Sequence, residues 1–213
     1  MIARSARIAL AAAVVVAAAG GTALLANRTP AARLQIDPVE FRKAQYMDDL
    51  MTGRGVIGGP FTLTDTAGAP RSLSDYRGKL VLLYFGYMFC PDVCPTDLVA
   101  VKGLVDALGP HAEEIQPIFV TIDPERDTRE ALGEWLPHFH SRIVGLTGTV
   151  EEVRAVADRY RVYFEKVPAR SGSHYFLDHS ANLYLIDRNG SYLGYFPPGT
   201  NSERLLDVLR DYL

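Results

Sequence analysis

Apolar and polar positions along this chain predict strands and helices in alternation. KLVLLYFGY (residues 79–87) is almost wholly apolar, as expected for a central strand that is covered on both faces. Similar runs occur at residues 115–123 and 142–148. Helical spacing follows each run, at residues 95–108, 128–139 and 150–164. We therefore predict an α/β fold with a mostly parallel, right-handed sheet and flanking helices.

The two ends of this region carry shorter patterns. GGPFTLTDTAGAPRSL contains two strand-like runs around the turn residues 67–70. Near the C-terminus, ANLYLID and SYLGYF flank Arg188-Asn189-Gly190, which predicts a β-hairpin. Residues 201–213 predict an amphipathic helix with Asn201 or Ser202 as its N-cap. Its inward-facing positions are expected to be Leu205, Leu206, Val208, Leu209 and Leu213.

The N-terminal residues differ from the rest of the chain. Arg4 and Arg7 precede IALAAAVVVAAAGGTALLA (8–26), which is uncharged and about long enough to span a bilayer. We expect residues 1–7 to be a cytoplasmic n-region and residues 8–26 an uncleaved single-pass anchor in the inner membrane, although Ala17-Ala18-Ala19 could also form a cleavage site. Residues 27–57 lack sustained periodicity and are predicted to be a tether. The globular domain, residues 58–213, is expected on the periplasmic side.

Composition adds two constraints. Apolar residues make up 48% of the 213 residues and the formal net charge is −3, as in an ordinary globular protein with one core-bearing domain. No basic stripe is present to neutralise phosphates, which argues against nucleic acid as a partner.

An exported protein normally has oxidised cysteines, so a working reduced pair must be maintained by a reductant or bound to a metal.

Both cysteines lie in FGYMFCPDVCPTDL (85–98), where the predicted central strand leads into a helix. A helix N-terminus lowers the pKa of nearby thiols, so Cys90 and Cys94 are expected to be partly thiolate. Helical residues four apart have Cβ atoms roughly 5–6 Å apart, against about 3.8 Å in a relaxed disulfide. The spacing favours a shared metal ion and leaves disulfide chemistry open.

Two thiolates make an incomplete metal site, so we consider each histidine as a third ligand. His111 follows the first helix in a polar stretch, and His138 and His140 lie near a helix C-terminus, where solvent or the helix dipole explains them. His174, in a loop of small residues, is a weaker candidate. His179 directly precedes the predicted strand ANLYLID and is the preferred ligand. Thiolate and imidazole ligands suit copper and zinc, and the paired sulfurs suit Cu(I) in particular.

Three motifs occur in order on this chain: FGYMFCPDVCPTDL, VTIDPERDT (120–128) and YFLDHSANLYLID (175–187). Together they resemble the Sco/SenC family, over about residues 57–213. The resemblance implies a thioredoxin-like fold and a membrane-anchored protein that binds copper, as Cu(I), Cu(II) or both, through Cys90, Cys94 and His179. It also implies delivery of copper to the dinuclear site of cytochrome c oxidase subunit II, or to another copper-site protein. Such a metallochaperone is not an enzyme in the turnover sense.

Other functions would use the same thiols. A thiol–disulfide reductase that keeps the cysteines of the oxidase subunit reduced would use Cys90 and Cys94 as a redox-active pair, without His179. A peroxidase of the peroxiredoxin or glutathione peroxidase type would share the fold. It ranks last, because the only tryptophan, Trp135, lies on a distant predicted helix. Zinc is the fallback metal.

Residues around the predicted site also carry expectations. The loop Asp123–Thr128 is predicted to be structural, with Asp127 or Thr128 capping the following helix. Met88 is expected to pack beside the site. Asp92 is expected to support the helix N-terminus by its charge. Asp178 is expected to point to the strand face opposite His179.

Overall fold

A computed structural model describes residues 37–168 and 175–213 of the chain. The helices are α1 (Pro38–Thr52), α2 (Val93–Leu108), α3 (Arg129–Trp135), α4 (Val150–Arg159) and α5 (Ser202–Leu209). The strands are β1 (Thr62–Asp65), β2 (Pro70–Ser72), β3 (Leu80–Gly86), β4 (Ile115–Thr121), β5 (Val144–Thr147), β6 (Phe164–Pro168), β7 (Tyr175–His179), β8 (Leu183–Ile186) and β9 (Tyr192–Phe196).

Seven of these strands form one sheet in the order β2-β1-β5-β4-β3-β8-β9, and β6 and β7 form a separate two-stranded sheet. The three central strands β3, β4 and β5 are parallel, and the strands added on either side pair antiparallel. The predicted α/β class is confirmed. Its parallel part is confined to the centre of the sheet.

The core is centred on β3 and β4, in which every residue is buried. Their apolar runs suit this position because neither face of a central strand meets water. Helix α2 contributes Leu98, Val101 and Leu104 to the same core and packs against α5. In α5, Asn201 is the N-cap and accepts a hydrogen bond from Arg204 N. Leu205 and Leu209 are buried, whereas the expected inward position Leu213 is exposed.

One predicted helix is too long. Helix α4 ends at Arg159, although the pattern predicted helix to residue 164. Arg161 has a positive φ of 56°, which breaks the helix, and Phe164 begins β6. The antiparallel β6–β7 pair, in register from Phe164 opposite His179 to Pro168 opposite Tyr175, was not predicted. The hydrophobic pattern does not predict this pairing, because the pattern within each segment does not show which other segment it pairs with.

The chain divides into two units, Met1–Phe41 and Arg42–Leu213, and both sheets lie in the second. The expected n-region, the expected anchor and His174 lie outside the described residues. In residues 37–168 and 175–213, no helix is both long and apolar enough to cross a membrane. Within the segment 27–57 the structure has helix α1, for which the sequence showed no sustained periodicity.

Candidate metal centre

The two cysteines stand on either side of a helix start. Cys94 lies in the first turn of α2 and is completely buried, at 0% exposure, while Cys90 lies in the preceding turn and is partly exposed. Both thiols are free. Because α2 begins at Val93, the spacing expected for two cysteines on one helix does not apply. A tight turn replaces it, in which Cys90 N donates to the Tyr87 carbonyl at 3.2 Å.

Hydrogen bonds shift the pKa values of the two thiols in opposite directions. The Cys94 thiol donates to Cys90, which lowers the pKa of Cys90 to about 3, and the backbone N–H groups of Asp92 and Cys94 also lower it. Cys94 N lies 3.5 Å from Cys90 Sγ. The same bond, together with burial, raises the pKa of Cys94. In the metal-free protein Cys90 is therefore the thiolate, and Cys94 holds the proton.

His179 reaches this pair from the end of strand β7. Its Nε2 lies 3.6 Å from Cys94 Sγ, and its Nδ1 lies 3.2 Å from the Ser180 carbonyl oxygen. Since a carbonyl oxygen can only accept, the second contact assigns the ring proton to Nδ1. Nε2 then presents a lone pair toward the sulfurs. The Tyr87 ring meets the imidazole edge-on, with ring centroids 5.6 Å apart.

The sequence-predicted ligands come together in the structure. One ligand atom from each of Cys90, Cys94 and His179 lies within 4.8 Å of the other two. Two atoms bound at about 2.3 Å to one ion are at most about 4.6 Å apart, so the cluster is close to ligating distances. Two sulfurs and a bare imidazole nitrogen form a donor set for a soft metal ion.

The other described histidines lie apart from this cluster. His111 contacts Glu114 at 2.9 Å on the surface, and His138 Nδ1 lies 3.1 Å from the Trp135 carbonyl oxygen. His140 Nδ1 accepts from Arg142 N at 3.1 Å. These local partners agree with the prediction that none of the three belongs to the site.

The two neighbouring aspartates do not contact His179. Asp178 is exposed and pairs with Lys43 of α1 at 2.8 Å, which agrees with the opposite strand face predicted for it. Asp92 occupies the N-cap position of α2, but its side chain makes no capping hydrogen bond there. Its backbone N–H, which donates to Cys90, is its contribution to the site.

Two residues near Cys94 were missed in the sequence analysis. The buried Asp97 carboxylate accepts from Tyr84 Oη at 3.0 Å and from Gly199 N at 2.9 Å, which ties α2 to β3 and to the loop before α5. Burial raises the pKa of Asp97. A Cβ atom on Gly86 would stand 3.0 Å from Cys94 Sγ. Any larger residue at this position would therefore crowd the Cys94 sulfur.

The loop Asp123–Thr128 has a larger role than capping. Thr128 is the N-cap of α3 and accepts from Ala131 N at 3.2 Å, as expected for one of the two candidates. Asp127 instead points inward and accepts from Met88 N at 3.0 Å. The Met88 side chain is partly buried and packs against the core. A buried carboxylate that contacts a residue 39 positions away leaves no signal in local sequence.

A cleft of about 300 Å³ opens beside His179. Tyr46, Met47 and Leu50 of α1 line it on one side, and His179 and Asn182 are among the residues that line it elsewhere. The second half of α1, inside the expected tether, therefore stands next to the candidate centre.

Comparisons with known proteins agree with this arrangement. The SCO1/SenC family model matches residues 50–213. An SCO2-like protein of Rickettsia conorii is 41% identical over 156 residues, which cover 73% of this chain and 76% of the relative. The human protein SCO1 homolog, mitochondrial, is 38% identical over 178 residues, which cover 83% of this chain and 58% of the relative.

Solved structures are similar over the same region. Bradyrhizobium japonicum ScoI with copper bound is 40% identical, with a TM-score of 0.68, and the match covers 74% of this chain and 99% of that one. Yeast Sco1 with copper bound is 35% identical, with a TM-score of 0.68, and the match covers 74% and 88%. The predicted thioredoxin-like fold is confirmed.

Proposed function

Because the chain belongs to the SCO1/SenC family, we propose that it binds copper through Cys90, Cys94 and His179 and delivers it to the dinuclear copper site of cytochrome c oxidase subunit II. Copper is then cargo, and the chain is an assembly factor. Two solved relatives with copper bound support the choice of metal.

The observation that carries the proposal is the cluster of one imidazole nitrogen and two sulfurs within 4.8 Å. The Nδ1 contact to the Ser180 carbonyl oxygen orients the ring so that Nε2 faces Cys94. Such an outer contact fixes both the tautomer and the direction of a histidine ligand. A histidine with only a structural role would have no need to direct its lone pair at two thiols.

The three ligands have different protonation requirements. Cys90 is already a thiolate, because Cys94 donates a hydrogen bond to it. Cys94 must lose its proton to bind metal, since the same bond and burial keep it protonated in the metal-free protein. Metal binding therefore releases a proton, and the apparent affinity rises with pH.

Metal analysis of the reduced full chain tests the binding step. We expect about one copper per chain, as one soft two-sulfur, one-nitrogen site requires. Cys90→Ala and Cys94→Ala should each abolish binding, and His179→Ala should weaken it. His138→Ala is the matched control, because His138 lies outside the cluster and contacts the Trp135 carbonyl oxygen. Stoichiometric copper in the Cys90→Ala/Cys94→Ala double variant would refute the assignment.

A transfer experiment tests delivery. The copper-loaded chain is mixed with the reduced, metal-free copper domain of an oxidase subunit II, and the dinuclear centre is followed by its visible absorption. We expect the absorption to form with the wild-type chain at a rate that depends on both protein concentrations, as direct ligand exchange requires. A rate equal to that with free copper at the same concentration would exclude delivery.

The opposite pKa shifts of Cys90 and Cys94 favour a second function, thiol–disulfide reduction. The partly exposed Cys90 thiolate can attack a partner disulfide, and Cys94 can then attack the mixed disulfide, which releases the partner as a dithiol and leaves a Cys90–Cys94 disulfide. A separate thiol reductant must reset the pair. Oxidase assembly that survives His179→Ala would favour this reductase role, because only copper binding needs the imidazole.

We also propose the expected chain organisation. Residues 8–26 would anchor the protein in the inner membrane after the cytoplasmic residues 1–7. Residues 27–57 would lead to the domain 58–213 on the periplasmic side. Protease added to intact spheroplasts should digest the domain, whereas digestion only after lysis would refute the orientation.

A further inference from the structure

The loop Asp123–Thr128 holds part of the turn that carries Cys90. Residues 87–92 join β3 to α2, and within them Cys90 N bonds to the Tyr87 carbonyl. Besides the Tyr87 hydroxyl, which accepts from Leu177 N, this turn is tied to the loop through Asp127, whose Oδ2 accepts from Met88 N at 3.0 Å. The neighbouring Arg126 guanidinium lies 4.9 Å from the Phe89 ring centroid. The two residues before Cys90 are thus both held by the loop Asp123–Thr128.

Asp127 is itself firmly held. Its side chain is completely buried, at 0% exposure, and Oδ2 also accepts from Thr121 Oγ1 at 2.7 Å. Its backbone N donates to the Asp123 carbonyl at 2.9 Å. The Met88 peptide is therefore fixed to the end of β4, which is a central strand of the sheet.

This placement costs stability, which argues that it has a use beyond folding. Among the described residues, Asp127 Oδ1 has no hydrogen-bond partner. A buried carboxylate with an unpaired oxygen is unfavourable, and burial raises the pKa of Asp127 to about 6. Asp65 shows the contrast: its carboxylate accepts from Ala67 N, Ala69 N and Arg71, all near the β1–β2 turn.

We infer that Asp127 is a positioning residue of the metal centre, which holds the Met88 peptide and so fixes where Cys90 Sγ stands relative to Cys94 and His179. The inference rests on the proposed copper site. Asp127 acts through the backbone of the Cys90 turn and does not touch the ligands.

Cu(I) affinity, measured by competition with a chromophoric chelator, tests this role in the reduced full chain. Loss of a residue that orients a ligand typically lowers metal affinity by about 10–100-fold, and we expect this for Asp127→Ala. Asp127→Asn should bind nearly as well as wild type, because its amide oxygen can still accept from Met88 N. Asp65→Ala, which removes another buried carboxylate near the β1–β2 turn, should keep wild-type affinity. Equal losses in Asp127→Ala and Asp65→Ala would overturn the inference.

A metal-free measurement separates this inference from the proposed function. In the apo protein, the rate of Cys90 alkylation by iodoacetamide against pH reports the environment of that sulfur. Asp127→Ala should shift this profile, and Asp65→Ala should not. If the wild-type chain binds no copper, the proposed function fails, and the alkylation profile alone decides the positioning role. An unchanged profile in Asp127→Ala overturns it. Should Asp127→Ala not fold, Asp127→Ser, whose hydroxyl is too short to reach Met88 N, is expected to give the same shift.

Discussion

Every residue of β3 is buried between β4 and β8, whereas the strand that ends at His179 belongs to a two-stranded sheet with alternate residues exposed. The proposed metal centre thus has a cysteine half, residues 80–108, and a histidine half, the β6–β7 pair. In the histidine half, Val167 and Phe176 face each other across the pair and are 45% and 46% exposed.

This contrast bears on how a ligand set can both hold and release a metal ion. An isolated two-stranded pair is marginally stable in water, so β6–β7 depends on contacts such as Leu177 N to Tyr87 Oη at 3.3 Å. Local opening begins where few buried contacts must break. We therefore expect the histidine ligand to detach before the cysteines, with Cys90 and Cys94 retained by the core.

Core truncation should give the largest difference between the halves. Leu83→Ala, in β3 at 0% exposure, should lower the free energy of unfolding by about 2–5 kcal/mol. Val167→Ala, in the half-exposed β6, should change it by no more than about 0.5 kcal/mol. Urea denaturation followed by tryptophan fluorescence measures both. Similar losses in the two variants would show that the halves are equally integrated into the core.

The pH dependence of stability should come next in size. The folded pKa of Asp127, about 6, lies above the value of about 3.9 for an unfolded chain. Between these two pH values the folded state binds more protons than the unfolded state. The contribution of Asp127 to the free energy of unfolding therefore falls as pH rises from about 4 to about 6, by about 3 kcal/mol at most. Asp127→Asn should remove this fall. Urea titrations of both proteins at several pH values measure the difference, and parallel curves would contradict the raised pKa.

Gly86→Ala should affect the cysteine half through overpacking. The added Cβ would lie 2.9 Å from the Tyr84 ring and 3.0 Å from Cys94 Sγ, both of which are buried. We expect a loss of about 1–3 kcal/mol in stability, together with weaker copper binding. Gly194→Ala in β9 is the matched control, because a Cβ there meets nothing within 4 Å. Wild-type copper affinity in Gly86→Ala would show that Cys94 can shift freely.

The smallest effect is expected on the outer face of the histidine half. Asp178→Asn removes the ion pair with Lys43, in which both side chains are more than 40% exposed. Exposed pairs contribute about 0.2–1 kcal/mol, so stability and copper affinity should change little. Lys102→Met, which breaks the comparably exposed pair with Asp106, serves as control. A large loss of copper affinity in Asp178→Asn alone would mean that the pair orients His179.

The hydrophobic pattern predicted secondary structure correctly where an element depends on residues that are close together in the sequence. The apolar runs at residues 79–87 and 115–123 became β3 and β4, and Asn201 caps the last helix as its position indicated. The pattern was a poor guide past Arg159, because Arg161 ends the helix by a positive φ that sequence spacing does not reveal. It also showed no sign of α1.

For the candidate site too, some features follow from the sequence and others only from the structure. The sequence by itself determined the fold class, the family and the three ligand candidates, because residue types, spacing and motifs are carried along the chain. Only the structure decided that Cys90 lies outside the helix, that His179 stands on a separate two-stranded sheet, and that Asp127 holds Met88. The contacts that assemble the site, Asp127 to Met88 and His179 to Cys94, join residues 39 and 85 positions apart, and the fold of the chain, not local pattern, brings such residues together.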